Sequence, residues 1–336
     1  MMIDLRNFLG HVEEILDSHR LDRTGTYRRW NWHGPGTQRD LGLNPYGCAD
    51  AANILYTIGH FPGHAAERAS WIEVLQSLQD AATGMFEEPT HHRIHTTAHC
   101  VAALELFDAR PAHRLRELDT LKDAAALRAF LRALDWHATP WSESHRGAGL
   151  FAALVISGEV DLNWQDIYFD WLWDWADPQT GLFGGTDLPP VAHSGTISMV
   201  PHMAGTFHYL FNIEWTRRKL RYPARLIDTC LEMLADGGFP LGARVGFAEI
   251  DWFFCVNRSL RQSGHRFDDC HAAMTRLGRQ LGDFVLSLDP ASDDGLNDLH
   301  SLFGVLCAFA ELQQAVPGLV RSDRPLKLVL DRRPFI

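Results

Sequence analysis

Two kinds of apolar pattern alternate along this chain. In one, residues 222–235 place Leu226, Ile227, Cys230, Leu231 and Leu234 on a single stripe. That is the spacing of a helix with one wet face. Similar stretches occur near 3–18, 64–80, 121–135, 162–176 and 267–287. In the other kind, runs such as 251–256 and 302–310 are apolar nearly all round, as helices buried on every side are. The alternation predicts six outer and six inner helices and an all-α fold.

The inner runs carry a loose internal repeat. Each opens on a short polar head: Cys48-Ala-Asp50, Thr97-Ala-His99, Arg146-Gly147, Pro201-His202, Glu249-Ile-Asp251 and Asp298-Leu-His300. Positions 50, 99, 147, 202, 251 and 300 are separated by 49, 48, 55, 49 and 49 residues. The joints repeat as well. Asp80-Ala-Ala-Thr-Gly-Met-Phe86 and Asp177-Pro-Gln-Thr-Gly-Leu-Phe183 lie 97 residues apart, two periods. Asp236-Gly-Gly-Phe239 and Asp294-Gly-Leu296 read as shorter versions. In each, the Asp accepts local backbone bonds and the Gly takes the left-handed conformation that stops an outer helix.

On these joints and this period the chain resembles the (α/α)6 six-hairpin toroids of many bacterial glycosidases and polysaccharide-processing enzymes. Terpenoid cyclases and the prenyltransferase β subunit share that toroid. The resemblance covers nearly the whole chain and implies one domain over residues 1–336. It also implies that the inner helices aim one set of ends at an axial cavity. It concerns architecture, and architecture alone does not give function.

Under that reading Asp50, His99, His202, Asp251 and His300 occupy equivalent helix starts around the cavity, with Glu143 and His145 filling the slot of Gly147. Helix capping is the alternative, good for Asp and poor for His. The expected activity is that of a carbohydrate-active enzyme, a glycoside hydrolase or lyase acting on a small oligosaccharide. Asp251 and Asp50 are the candidate acid and carboxylate, with Glu143 and Glu88 as substitutes. His99 and His202 would move protons. His300, His145, His95, Glu88, Tyr46, Trp141 and Trp252 would bind substrate, the aromatics offering flat faces to a sugar ring. The stripe Trp164, Tyr168, Trp171 and Trp175 on an outer helix reads as packing or an oligomer contact.

Two further readings compete. A terpenoid-type enzyme would need an Asp-x-Asp-Asp acid motif or an Asp-x-Cys zinc pair. The chain has Asp251-Trp252-Phe253 and, reversed, Cys48-Ala-Asp50. A non-catalytic toroid that only binds its ligand is the other.

His91, His95 and His99 stand at i, i+4 and i+8, the spacing of a zinc-chelating helix face. No third ligand type and no supporting outer partners can be read beside them. The expectation is no metal and no cofactor.

Charge narrows the partners. A formal net charge of −11, with no basic run, argues against nucleic acid and anionic membranes. No stretch approaches 18 apolar residues. The first residues carry Asp4, Glu13 and Glu14, unlike a secretory signal. The six cysteines form no Cys-x-x-Cys pair, which suits reduced, buried thiols. A cytoplasmic protein with a small carbohydrate ligand is expected, its oligomeric state open.

Overall fold

Strand is confined, among the described residues, to Ile3–Asp4 (β1) and Val320–Arg321 (β2), which pair in parallel. The structure is a computed structural model describing residues 2–34, 36–184, 199–235 and 245–336. Everything else that is regular is helical. The partly exposed helices are α1 (Arg6–His19), α3 (Ala65–Ser77), α5 (Ala124–Ala133), α7 (Leu162–Trp175), α9 (Pro223–Ala235) and α11 (Phe267–Ser287). Each falls where a one-sided apolar stripe predicts it. Between them run α2 (Pro45–Thr57), α4 (Arg93–Leu106), α6 (Pro140–Ile156), α8 (Val200–Trp215), α10 (Ala248–Ser263) and α12 (Leu299–Ala315), buried along most of their length.

The buried helices pack in a closed order. α2 lies against α4, α4 against α6, α6 against α8, α8 against α10, α10 against α12, and α12 returns to α2. Outside this cycle α3 touches α2 and α4, α7 touches α6, α9 touches α10, and α11 touches α10 and α12. The centre is not left open. A short helix, α13 (Val329–Arg332), contacts both α2 and α8, which stand opposite each other in the cycle. The residues after it go deeper. Arg333 is fully buried and donates to Asn53 Oδ1, while the Phe335 ring lies 5.4 Å from Phe211 and 4.7 Å from His95.

Local chemistry sets the helix starts. Asn44 Oδ1 accepts from the backbone N–H of Tyr46 and Gly47, and Pro45 supplies a first residue with no N–H to satisfy. Asp298 caps α12 by accepting from His300 N. The expected joints are built as read. Asp80 Oδ1 accepts from Thr83 N and Oγ1, Gly84 has φ +79°, and Phe86 N donates to Thr97 on the next inner helix. Asp177, Thr180, Gly181 at φ +75° and the Phe183-to-Thr206 bond repeat that pattern. The Asp236–Phe239 joint lies outside the described residues. At the last joint the capping role falls to Asp293, whose Oδ1 accepts from Leu296 N. Asp294 instead pairs with Arg39 at 2.6 Å.

The repeat itself needs correcting. Asp50 is the sixth residue of α2 and His99 the seventh of α4, whereas His202, Asp251 and His300 are third, fourth and second in their helices. They are not equivalent starts, and Asp50 and Asp251 are not caps. The 49-residue offset holds between α2 and α4, where Tyr46 bonds His95 and Asp50 bonds His99. Between α6 and α8 the offset is 64, seen in Ser144 with His208 and in Ala148 with Asn212. The expected step was 55. Nine further residues slide His202 out of register and bring His208 in.

All six cysteines are buried and unpaired, as expected. Trp164 and Tyr168 are buried, and Trp171 and Trp175 stack on each other and reach Trp136, so the α7 stripe is packing within the chain. No helix among the described residues is long and apolar enough to cross a membrane.

Candidate functional site

Imidazoles from four inner helices converge near one end of the cycle. Tyr46 on α2 is their organiser. Its ring stacks on His91 at 4.4 Å and on His99 at 4.7 Å, and meets His300 edge-on at 4.8 Å. Its hydroxyl bonds His95 Nδ1. Burial pushes the Tyr46 phenol well above its ordinary pKa, so it stays a neutral hydrogen-bonding group.

On one side of Tyr46 lies a carboxylate with two imidazoles. Asp50 Oδ1 accepts from His99 Nε2 at 2.8 Å and from His300 Nδ1 at 3.1 Å. All three side chains are almost wholly buried. Burial opposes the Asp50 charge, but His300 and His99 outweigh it and hold the carboxyl below its usual range. Burial moves both imidazoles the other way, against the pull of Asp50, and takes His300 to about 4. The consistent state is an ionised Asp50 accepting from two neutral rings. His99 Nδ1 and Asp50 Oδ2 then remain buried with no hydrogen-bond partner among the described residues.

On the other side are three imidazoles with no acid among them. His95, His145 and His208 come from α4, α6 and α8, and one nitrogen of each lies within 4.8 Å of the others. Ring centroids are 4.3 Å apart for His95 and His145, and 4.8 Å for His145 and His208. Burial drives all three down, and the neighbouring rings add to it; His208 falls to about 3. Ser144 Oγ donates to Trp141 O and therefore accepts from His208 Nδ1, at 2.7 Å. That bond leaves the His208 Nε2 lone pair unused.

Toward the surface, Glu88 Oε2 lies 3.3 Å from His91 Nδ1 and accepts from Thr90 Oγ1. Arg29 stands 3.6 Å from Glu88 and makes a bidentate pair with Asp298, at 2.7 and 2.9 Å. Burial disfavours the Glu88 charge, but His91, Thr90 and Arg29 together keep its pKa low. Trp141 is 45% exposed with its ring 5.9 Å from His145, and Phe247 lies 4.5 Å from His300. These two rings border the cluster.

The chain matches no family model, no curated protein and no solved structure.

Of the residues chosen from sequence, the structure brings together Tyr46, Asp50, His95, His99, His145 and His300, with Glu88 reached through His91 and Trp141 beside His145. Others go elsewhere for plain helical reasons. Glu143 is two residues from His145, so the two point to different sides of α6. It pairs with Arg146 at 2.9 Å. Trp252 is turned to α9, where its indole N–H donates to Cys230 O, and it is fully buried. His202 is held down by burial and then by nearby His137, away from the other imidazoles. Asp251 is buried beside Glu249, and desolvation followed by that acid raises its pKa well above the carboxylate range. Cys48 does not face Asp50's partners: its thiol bonds the Tyr27 backbone, and burial pushes it up to about 12.

The His91/His95/His99 face does not act as one chelating ladder. His91 turns to Glu88, His95 to His145 and His208, and His99 to Asp50 and His300. Residues that sequence reading passed over are His208, Ser144, Arg29 and Phe335. A signal existed for the first: His208 is a titratable residue between Phe207 and Tyr209 in the middle of a mostly apolar helix, where burial without a partner is costly.

Proposed function

We propose that the whole chain, residues 1–336, is a six-hairpin toroid, and that its imidazole-lined end is the active site of a carbohydrate-active enzyme. The cycle of inner-helix contacts, with an outer helix preceding each, supports the architecture. One observation carries the chemistry. His300 Nδ1 is held by Asp50, His91 Nδ1 is held by Thr90 Oγ1 at 2.8 Å with Glu88 behind it at 3.3 Å, and the two rings stand 5.3 Å apart. A carboxylate on Nδ1 fixes the tautomer and leaves Nε2 to face a substrate. With its pKa near 4, His300 is a free base at neutral pH.

Two opposed imidazoles suit proton removal from a carbon beside a carbonyl or carboxylate, and proton delivery to a neighbouring atom. His300 would take the C–H proton and His91 would return one, to a leaving oxygen in a lyase or to carbon in an isomerase. The two-carboxylate hydrolase is less well supported. Asp50 and Asp251 are buried, Glu88 is tied to Thr90, His91 and Arg29, and Glu143 is paired with Arg146. Trp141 and Phe247 would give a sugar ring its flat contacts.

The test is incubation with neutral and uronate-containing oligosaccharides in deuterated water. Expected are solvent deuterium in the product or a new conjugated double bond, both lost in His300→Asn while the far-UV spectrum is kept. Hydrolysis that survives His300→Asn and vanishes in Glu143→Gln would overturn the reading in favour of a carboxylate mechanism.

A further inference from the structure

We propose that His95, His145 and His208 form a binding site for one divalent transition metal, of the zinc class. The observations come from three separate helices. Their ligand nitrogens lie within 4.8 Å of one another, with rings turned edge to face rather than stacked as a parallel pile. Tetrahedral ligation at about 2.0–2.1 Å places ligand nitrogens about 3.3 Å apart, so any pair closes by at most about 1.5 Å on binding.

The surroundings match what a ligating imidazole needs. A metal-bound His usually has its other nitrogen hydrogen-bonded, which fixes the tautomer and the ring plane. His208 Nδ1 is bonded to Ser144 Oγ, and His95 Nδ1 to the Tyr46 hydroxyl. Ser144 has spent its proton on Trp141 O, so His208 presents a lone pair at Nε2. Phe335 closes the inner side of His95 and Phe211 stands 5.9 Å from His208, giving an apolar wall behind the ligands. No acid lies among the three rings, and a shared cation would give their lone pairs a common partner.

The neighbouring set, Asp50, His99 and His300, has a similar spacing but a different state. Its nitrogens already donate to Asp50 Oδ1, so protons occupy the positions a cation would take. Three imidazoles leave a fourth position, the pattern of a catalytic rather than a structural zinc. A water held there would lose its proton near neutral pH. Metal binding at these three rings is independent of any carbohydrate activity and is read by binding alone.

The experiment uses the full-length chain stripped with chelator and titrated with Zn2+ alone, then with Co2+. Expected is one metal per chain by elemental analysis and calorimetry, a Co2+ visible spectrum of four-coordinate type, and a melting temperature that rises with Zn2+. His208→Ala should weaken Zn2+ binding at least 100-fold. Tyr46→Phe should weaken it about 10- to 100-fold through the lost outer bond. His300→Ala should leave it within threefold. Because His208 is buried, His145→Gln at the partly exposed rim serves as the second ligand variant, with folding checked by circular dichroism. No stoichiometric binding, or binding lost in His300→Ala and kept in both His208→Ala and His145→Gln, overturns the proposal.

Discussion

Replacing Arg29 by Met should destabilise the fold by about 3–5 kcal/mol, the cost of leaving buried acids without their cation. The figure follows from where the guanidinium sits. Its side chain is 6% exposed, against 15% for Asp298 and 1% for Glu88. All three of its nitrogens are used: Nε and Nη2 clamp Asp298 bidentately, and Nη1 donates to Thr90 Oγ1 at 2.8 Å. The plane also covers the Trp30 ring at 4.3 Å. Met fills much of the volume but restores none of these bonds. Asp298 caps α12, and Glu88 holds His91, so the loss reaches both carboxylate-held imidazoles at once.

The assay is equilibrium urea unfolding followed by circular dichroism and tryptophan fluorescence, accepted where the two transitions coincide. A double variant, Arg29→Met with Asp298→Asn, isolates the pair. Removing the orphaned charge should recover at least about 1.5 kcal/mol relative to the sum of the single changes. Arg29→Lys should fall between, since an ammonium keeps the charge but cannot clamp two oxygens. If Arg29→Met costs under 1 kcal/mol, or the double variant is additive, the ion-pair argument is wrong and the arginine serves only as packing.

Other expectations follow from the same structure. Gly84→Ala should lower the melting temperature sharply, because φ there is +79° and the new Cβ would meet Arg114 O at 1.9 Å, whereas Gly36→Ala meets nothing and should cost only its backbone strain. Phe335→Ala should destabilise by about 3–5 kcal/mol, as for other buried rings, since it empties the space beneath His95. In chelator, stability should fall as pH drops from about 6.5 toward 4: the unfolded chain gains protons at the imidazoles while His300, near 4, and His208, near 3, stay neutral when folded. That is about 2 kcal/mol per such histidine between pH 7 and 5. Asp251 and Glu214, raised by burial, act in the opposite direction but are fewer, so urea midpoints that hold level to pH 5 would count against neutral buried imidazoles.

Much of the helix pattern was legible because it rests on local rules. A one-sided stripe marks α9 and α11 whatever they pack against, and Asp80-x-x-Thr-Gly can be read as a stop because its bonds lie within five residues. Which side chain faces the axis is a different kind of fact. It depends on how far each helix slides against its neighbour, and nothing local records that slide. Where the slide equals the period, as between α2 and α4, the repeat put Asp50 and His99 at matching positions, and the structure bonds them, with Tyr46 and His95 bonded at the same offset. Where it does not, as between α6 and α8, spacing chose His202 and missed His208.

The C-terminal residues show the same limit more sharply. Arg333 carries a charge and Phe335 ends a short polar stretch, so neither belongs to a periodic pattern that would mark it as core. Both are fully buried. Their burial follows from α13, which contacts both α2 and α8 and carries the residues after it in among the inner helices. Phe335 packs beneath His95, and Arg333 is held by Asn53. Phe335 beneath His95 thus adds an apolar surface to a cluster in which burial holds His300 and His208 neutral.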